Sequence, residues 1–590
     1  MTRNRKDSSR GLTRRQVLAG AGASAITVSL GAITLNSPAA EAAVEWDHET
    51  DVLVVGSGAA GCSAAVTAHR NGDRAMVVEK APITGGTAAK SAGVLWIPNN
   101  FALKARGIQD RKEDCLRYMV RFSYPQHYDP SSATLGISQD AYRLLEAFFD
   151  NASDAVDSLR ADGDLRIAEW RMFALDRPAT DYLDHVPENK VPAGRALGPQ
   201  QEDGTMGLGA ELMGQYRVAL ERRKIPVLTG HAAARLLRNA EGRVIGLECE
   251  ADGKRVAVRA HKAVIFGSGG YAHNTAFVER YQSSPGLLGS CAMPWSTGDF
   301  IDIAGAAGAR MGDLSTAWRT QIVLENALRA RTLGAGVFFP PGDSMVQVNR
   351  YGLRVVNEKR NYNDRTEIHG YYDASQAEFP NRYLFMIYDQ RSAEAFAGSH
   401  PLPSDPAVSP WVLSGGSLPE LAARIASRLV EIKDRTGGFS LGPDFVANLE
   451  QTVQRFNGFA RAGEDKDFER GKAAYDNEWH LVFSPLASGT SQPPNPFPSV
   501  TMHPFSDQGP YHAIILAAGA LDTSGGPAID AHARVLDTNG APIPGLYGAG
   551  NCIASPSGEA YYGAGHTLGM ATTFGYIAAN AAHRDSRGDA

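Results

Sequence analysis

The chain is poor in cysteine, and its cysteines are badly placed for chemistry. Cys62, Cys115, Cys249, Cys291 and Cys552 are the only five in 590 residues, and no two stand in C-x-x-C spacing. That removes an obvious zinc, haem or iron–sulfur site and any disulfide framework, so no metal is expected. The body of the chain has no run of lysine and arginine, and the net charge is -6; nothing argues for a nucleic-acid partner. The mildly apolar stretch Ala19 to Leu35 is too short, and too rich in Gly, Ser and Thr, for a comfortable membrane span. Short internal repeats and coiled-coil heptads are absent. What remains, 43% hydrophobic and 21% charged residues, is ordinary globular composition, in a chain long enough for two or three domains.

The N-terminus departs from this balance. Arg3, Arg5, Lys6, Arg10, Arg14 and Arg15 make it basic, "LTRRQVLAG" carries the twin arginines Arg14 and Arg15, and "PAAEAA" offers an A-x-A site at Ala40 to Ala42. This is the pattern of a twin-arginine export signal. Residues 1–45 are therefore set aside from the fold. A periplasmic or otherwise extracytoplasmic protein is expected, with no transmembrane segment after signal removal. Export in the folded state suits a protein that takes up a cofactor first.

Asp51 to Lys80 reads "DVLVVGSGAAGCSAAVTAHRNGDRAMVVEK". Val52 to Val55 is an apolar run of strand length, and Gly56-x-Gly58-x-x-Gly61 opens an Ala-rich helix through Ala60. Val77 and Val78 lie in the next strand, which Glu79 ends, with Lys80 after it. Gly56 permits a tight turn, Gly58 lets backbone approach a pyrophosphate, and Gly61 packs helix on strand. The unpaired N–H groups of the helix start face the phosphates, and Glu79 is placed to accept from ribose hydroxyls. The continuation "APITGGTAAKSAGVLWIPNN" offers Gly85 and Gly86 for a second backbone approach and Ser91 to Gly93 for a flavin ring. Val244 to Glu250 and Arg255 to Ala260 alternate around "DGK", as a β-meander does. "KAVIFGSGG" (Lys262 to Gly270) returns as a buried strand. "GLYGAGN" (Gly545 to Asn551) runs a strand into another glycine turn near the C-terminus. A nucleotide domain split between the chain ends, with a meander inserted, points to FAD rather than NAD. The expected architecture is α/β: a Rossmann-type, glutathione-reductase-like FAD domain (46–285 and 491–583) plus an inserted α+β catalytic domain (286–490). Pro-rich "SQPPNPFPSV" (Ser491 to Val500) marks the return, and "DTNG" (Asp537 to Gly540) a hairpin.

These residues resemble the fumarate reductase/succinate dehydrogenase flavoprotein superfamily. Within it they are most similar to the 3-ketosteroid Δ1-dehydrogenases, over essentially the whole mature chain. The densest stretches are Asp51 to Asn100, Gly352 to Tyr362 and Gly519 to Ala579. Beyond the glycine motif, the FAD contacts expected are Gly86, Thr87, Ser91, Gly93, Ala233, Gly269, Gly550, Asn551, Thr567 and Leu568. The fumarate enzymes carry an arginine at a fixed distance after an N-E pair; counting from Asn357-Glu358, Tyr362 stands there. Their histidine-proline pair is missing from Gly308 to Val323, their paired histidines from "GALDTSGG" (Gly519 to Gly526), and the arginine of their last motif from "GAGHTLG", which has His566. The dicarboxylate clamp is thus absent at four points.

The ketosteroid pattern is met instead. The resemblance makes Tyr362 the general base and Tyr182, in "ATDYLDH", its partner. Tyr561 and Gly565, in "SGEAYYGAG", become the pair that binds the substrate carbonyl. It implies removal of two hydrogens from adjacent carbons beside a ketone: the α-proton to Tyr362, the β-hydride to flavin. Tyr362 is then expected as tyrosinate or nearly so, favoured by Tyr182 and by cations of its own loop, Arg360 and Arg365. Two features depart from the family: Tyr562 follows Tyr561 where proline is usual, and the chain carries an export signal. Gly563 occupies the place of the catalytic serine of the Δ4-(5α)-dehydrogenases. Three alternatives stay open: a smaller cyclic ketone such as an oxocyclohexane carboxylate held by a nearby arginine, a fumarate- or urocanate-type acid reductase, and an exported flavin-binding electron-transfer protein. The expected partners are a cyclic ketone and an unidentified electron acceptor.

Overall fold

The computed structural model describes residues 44–172, 176–282, 284, 286–481 and 494–587. The chain divides into two compact units, Met1–Glu45 and Trp46–Ala590. All but two residues of the first, which holds the expected export signal, lie outside the described residues. Every described strand and helix belongs to the second.

The apolar run Val52–Val55 forms the inner half of strand β1 (His48–Val55) and is almost wholly buried, as suits a parallel strand covered on both faces. Gly56 turns the chain at φ +100°. Helix α1 (Ala59–Arg70) and strand β2 (Ala75–Glu79) follow, in the order the glycine motif implies. After a mainly helical stretch that includes Lys112–Ser123, Gln139–Ala161 and Gly209–Arg222, the same sheet takes up β3 (Val227–Thr229), β4 (Ala232–Arg238), β5 (Val244–Ala251) and β6 (Lys254–Phe266). Between β5 and β6, Asp252 and Gly253 both take positive φ, 51° and 72°, the turn geometry that matches strand twist. The meander and the strand expected at "KAVIF" are one continuous element. The start of β6 pairs antiparallel with β5, and its end runs parallel to β1.

Helix α2 (Asp299–Ala306), β7 (Ala317–Val323), β8 (Met345–Val348), helix α3 (Tyr362–Thr366), β9 (Tyr383–Asp389), β10 (Val412–Gly415) and β11 (Tyr511–Thr523) come next. The strands form a second, antiparallel sheet, ordered β7–β11–β9–β8 with β10 also beside β11. The chain then returns through β12 (Arg534–Leu536), the turn at Asp537–Gly540, and β13 (Pro542–Gly548), and ends in helix α4 (His566–Asp585). The first sheet is ordered β12–β13–β6–β1–β2–β3, with β5 and β4 extending from β6. Helices α1 and α4 approach closely because small residues face each other: a Cβ on Gly575 would lie 2.3 Å from the Ala60 carbonyl oxygen.

The sheets do not change hands at 286 and 491. Phe300 of α2 stacks on Phe266 at 3.9 Å, so the first layer extends past 286. Strand β11 pairs with β7 and β9, so the return falls after Thr523. The reason is physical: "YHAIILAAGALDT" is a buried run without alternation, and nothing local says which sheet it serves. Part of the Pro-rich return segment, 491–493, lies outside the described residues.

Candidate functional site

One cavity of about 730 Å³ runs from the glycine turns of the first sheet to the face of the second. Its first end is a cradle built by absent side chains. A Cβ on Gly56 would meet the Gly267 carbonyl oxygen at 2.6 Å, and one on Gly61 the Gly56 oxygen at 1.9 Å. Gly61 does not line the cavity; it lets α1 pack on its own turn. Gly58 has nothing within 4 Å of an added Cβ and lines the open space, which is where a ligand's phosphates need bare backbone. Glu79 stands at the end of β2. One of its oxygens accepts from the Ser57 N–H (2.8 Å) and hydroxyl (2.7 Å), the other from the Ala81 N–H (2.8 Å). A carboxylate has about four lone-pair sites, so capacity remains for a ribose. Lys80 is held by Thr297 (2.6 Å) and Asp299 (3.0 Å) at the rim. Ala60, Gly86, Thr87, Ser91, Gly93, Ala233, Gly269, Gly550, Asn551, Thr567 and Leu568 line the same cavity; Gly85 does not. A narrow glycine-lined floor, a helix start and a fixed carboxylate fit an FAD along this groove.

The other end is made of phenols. Tyr362 begins α3, whose start is capped by Asn361 accepting from the Asp364 N–H. Tyr182 lies beside Asp181, whose carboxylate is anchored by Trp96 Nε1 (2.8 Å) and by Arg195, itself held on Asp110. Tyr561 sits in the loop before α4. The three rings converge: Tyr182 and Tyr362 at 5.6 Å, Tyr182 stacked on Tyr561 at 5.4 Å, Tyr362 and Tyr561 at 5.4 Å. The Tyr182 hydroxyl donates to that of Tyr362 at 3.1 Å. Gly565 lines the cavity at φ +86°, and a Cβ there would strike Val94 at 2.3 Å. Its N–H has no acceptor among the described residues.

The electrostatics correct one expectation. Burial, then the neighbouring phenols Tyr182 and Tyr561, push the Tyr362 hydroxyl well above the ordinary tyrosine range. Burial likewise raises Tyr182 and Tyr561. Arg360 and Arg365 do not offset this. Arg365 donates to Gln321 (2.9 Å) and to the Val337 carbonyl (2.6 Å), and burial pulls it down to about 10. Arg360 pairs with Asp476 at 3.0 Å and donates to the Tyr182 carbonyl. Arg354 is taken by Glu358 and Asp465, at 2.8 and 2.7 Å. A buried guanidinium has five donors to satisfy, and local carbonyls and carboxylates claim them. The cations shape the loop; no arginine is among the described residues lining the cavity.

No motif in the sequence marks the cavity's aromatic wall. Trp170 stacks on Trp479 at 5.6 Å, and Trp479 on Phe339 at 4.6 Å. Trp479 Nε1 donates to the Thr180 hydroxyl at 3.1 Å. Phe338 and Trp318 stand edge-on to Tyr362 and Tyr561, at 5.2 and 5.7 Å. These residues come from four separated segments, and only their meeting marks them.

Comparison with known proteins agrees with this geometry. Residues 51–568 match the family described as FAD binding domain. The chain is 31% identical to the 4-oxocyclohexanecarboxylate 2-dehydrogenase of Sinomonas cyclohexanicum, over 90% of this chain and 92% of the relative. It is 30% identical to the 3-oxosteroid 1-dehydrogenase of Mycobacterium tuberculosis, over 90% and 98%. The crystal structure of 3-ketosteroid delta1-dehydrogenase from Sterolibacterium denitrificans with 1,4-androstadiene-3,17-dione superposes with a TM-score of 0.74 at 25% identity, covering 91% of this chain and all of that one. The chain therefore belongs to the FAD binding domain family and is an FAD-dependent oxidoreductase of the 3-ketosteroid dehydrogenase type.

Proposed function

We propose that the cavity oxidises a flat, neutral, polycyclic ketone of the 3-oxosteroid class, placing a double bond next to the carbonyl. The observation that carries this is the meeting of three buried phenols at the end of a cavity walled by stacked aromatic rings and lined by no arginine among the described residues. When bound, FAD supplies the two-electron acceptor for the β-hydrogen. The Tyr561 hydroxyl and the Gly565 N–H are the two donors for the ketone oxygen, and they favour the enolate over the ketone. Tyr362, as phenolate, takes the α-proton and becomes neutral while the charge passes to the enolate; the Tyr182 hydroxyl, donating from 3.1 Å, holds the Tyr362 oxygen in place for the transfer. The aromatic wall aligns the rings and excludes water.

A phenol held above its usual range is a weak base at neutral pH, and only the phenolate accepts a proton. Below that raised value, the phenolate fraction grows about tenfold per pH unit. The ketone kcat/KM is therefore expected to climb from pH 7 through pH 9 without levelling. A plateau already at pH 7 would remove Tyr362 as the base.

The wall separates large from small ketones. Trp479→Ala removes the centre of the Trp170–Trp479–Phe339 stack. It is expected to lower kcat/KM for 4-androstene-3,17-dione by about 2 kcal/mol, roughly 30-fold. The effect on a monocyclic ketone should stay under about 3-fold, since one ring reaches only the phenols. Equal losses on both would favour the second reading, a carboxylated cyclohexanone like that in the Sinomonas relative's name. That substrate needs a cation; the lining lysines are engaged elsewhere, Lys80 with Thr297 and Asp299 and Lys90 with the Leu333 carbonyl (3.0 Å), and no arginine is among the described lining residues. The same lack weighs against fumarate- or urocanate-type acids.

We also propose export by the twin-arginine route, with the protein folded around FAD beforehand. Support comes from Arg14, Arg15 and the A-x-A site. Yellow protein in a periplasmic fraction, lost on Arg14→Lys with Arg15→Lys, tests it; cytoplasmic retention of the wild type would overturn it. No helix among the described residues is long and apolar enough to cross a membrane.

A further inference from the structure

Behind the loop that delivers Tyr561 and Gly565 lies a buried polar cluster that neither the cavity nor the FAD cradle uses. Ser557, Tyr562 and His566 have no solvent exposure, and none of them lines the cavity. The Ser557 hydroxyl and His566 Nε2 are 2.8 Å apart, and the Tyr562 hydroxyl is 2.7 Å from that of Ser123. The His566 ring stands edge-on to Tyr562 at 4.5 Å, and lies 5.4 Å from Tyr561 and 5.2 Å from Trp318. The Tyr562 carbonyl accepts twice, from the Tyr118 hydroxyl (2.6 Å) and from the Tyr182 N–H (3.0 Å). His566 Nδ1 is buried with no partner, and burial holds the imidazole neutral, down to about 3.

Keeping these groups in a core is costly. Each buried hydroxyl or ring nitrogen loses about 1–3 kcal/mol unless it is paired, and apolar side chains would fill the space without that penalty. His566 Nδ1 bears that cost unrelieved; what the paired groups, Ser557 with His566 Nε2 and Tyr562 with Ser123, add in return is a single geometry. The loop needs one. Gly558 and Gly565 both sit at positive φ, 59° and 86°, and give its backbone two pivots. Between them lie Tyr561 and, at the end, the Gly565 N–H, whose separation decides whether both can reach one oxygen.

We propose that Ser557, Tyr562 and His566 are positioning residues, a brace that fixes the Tyr561 hydroxyl and the Gly565 N–H on a shared ketone oxygen. Through the Tyr562 carbonyl the same brace sets the backbone of Tyr182, so the carbonyl grip and the base's partner are registered by one residue. This rests on the assignment of Tyr561 and Gly565 as the carbonyl donors.

The test reads the carbonyl directly. FAD-loaded protein carrying Tyr362→Phe, whose turnover is expected to be slowed about 10²- to 10⁴-fold, is mixed with 4-androstene-3,17-dione, and the C3 carbonyl stretch is recorded by infrared difference. Tyr561→Phe is the control: if it leaves the band where it was, the assignment of the donors fails, whatever the brace does. With the control satisfied, His566→Leu should return at least about half of the band shift. In the otherwise native enzyme it should lower kcat by about 10- to 100-fold, with the ketone Kd changed less than about 3-fold. His566→Gln keeps a hydrogen-bonding group for Ser557 and should recover most of both. Tyr562→Phe removes one hydroxyl only and should shift the band in the same direction, which covers poor folding of His566→Leu. An unmoved band in Tyr562→Phe and in the folded His566 variants would overturn the brace. So would a His566→Gln as impaired as His566→Leu.

Discussion

Tyr362→Phe is expected to lower turnover of 4-androstene-3,17-dione by about 10²- to 10⁴-fold while leaving the protein yellow. The ring keeps its edge contacts with Phe338 and Tyr561, at 5.2 and 5.4 Å, so the wall stays in place. What goes is the only atom of the residue that can hold the proton. The Tyr182 hydroxyl loses the acceptor it has at 3.1 Å, a cost of about 1–3 kcal/mol that lowers stability without emptying the FAD cradle. The acid-reductase alternative makes the opposite forecast, since a reaction that protonates an acid from another group tolerates the loss of this hydroxyl. Steady-state turnover and flavin absorbance on the same sample separate them: colour retained with turnover within about 3-fold of wild type would exclude Tyr362 as the base.

The second large effect divides two glycines of one motif. Gly61→Ala places a Cβ 1.9 Å from the Gly56 oxygen, backbone against backbone, so either α1 or the turn must move. A loss of about 3 kcal/mol or more is expected, with FAD lost along with the fold of the turn. Gly58→Ala meets no protein atom within 4 Å, so the protein itself should keep its thermal stability without cofactor. Its methyl stands in the open cavity, and the expected result is a folded protein whose FAD affinity falls at least about tenfold. Thermal unfolding of the FAD-free proteins, followed by FAD titration, checks both halves. If Gly58→Ala binds FAD as wild type does, the cofactor does not approach the backbone at that turn.

Local features of the sequence are a good guide wherever their partners are also local. The strand–glycine–helix–strand order at the start, the Asp252–Gly253 turn and the Asp537–Gly540 turn depend on a few adjacent residues, and their side-chain size and φ requirements can be read from the letters. The tyrosines are less local: Tyr182, Tyr362 and Tyr561 come from three remote parts of the chain, and the family pattern, not any spacing, picks them out. The arginines of "RVVNEKRNYNDR" show the limit. Their number suggests cations near the phenol, but a side chain's direction is decided by acceptors elsewhere: Asp465 for Arg354, Asp476 for Arg360, Gln321 and Val337 for Arg365. Asp476 and Trp479 sit in a segment with no distinguishing pattern, yet one fixes the loop and the other centres the wall.

That phenols distant in sequence work together on a carbon acid is tested most directly by rapid anaerobic mixing. The yellow wild-type protein is mixed with 4-androstene-3,17-dione and the flavin absorbance is followed. Bleaching in the wild type that speeds up from pH 7 to pH 9 and slows by about 10²-fold or more in Tyr362→Phe is the predicted result. Bleaching at an unchanged rate in Tyr362→Phe, or none in the wild type with this or any other cyclic ketone, would contradict it.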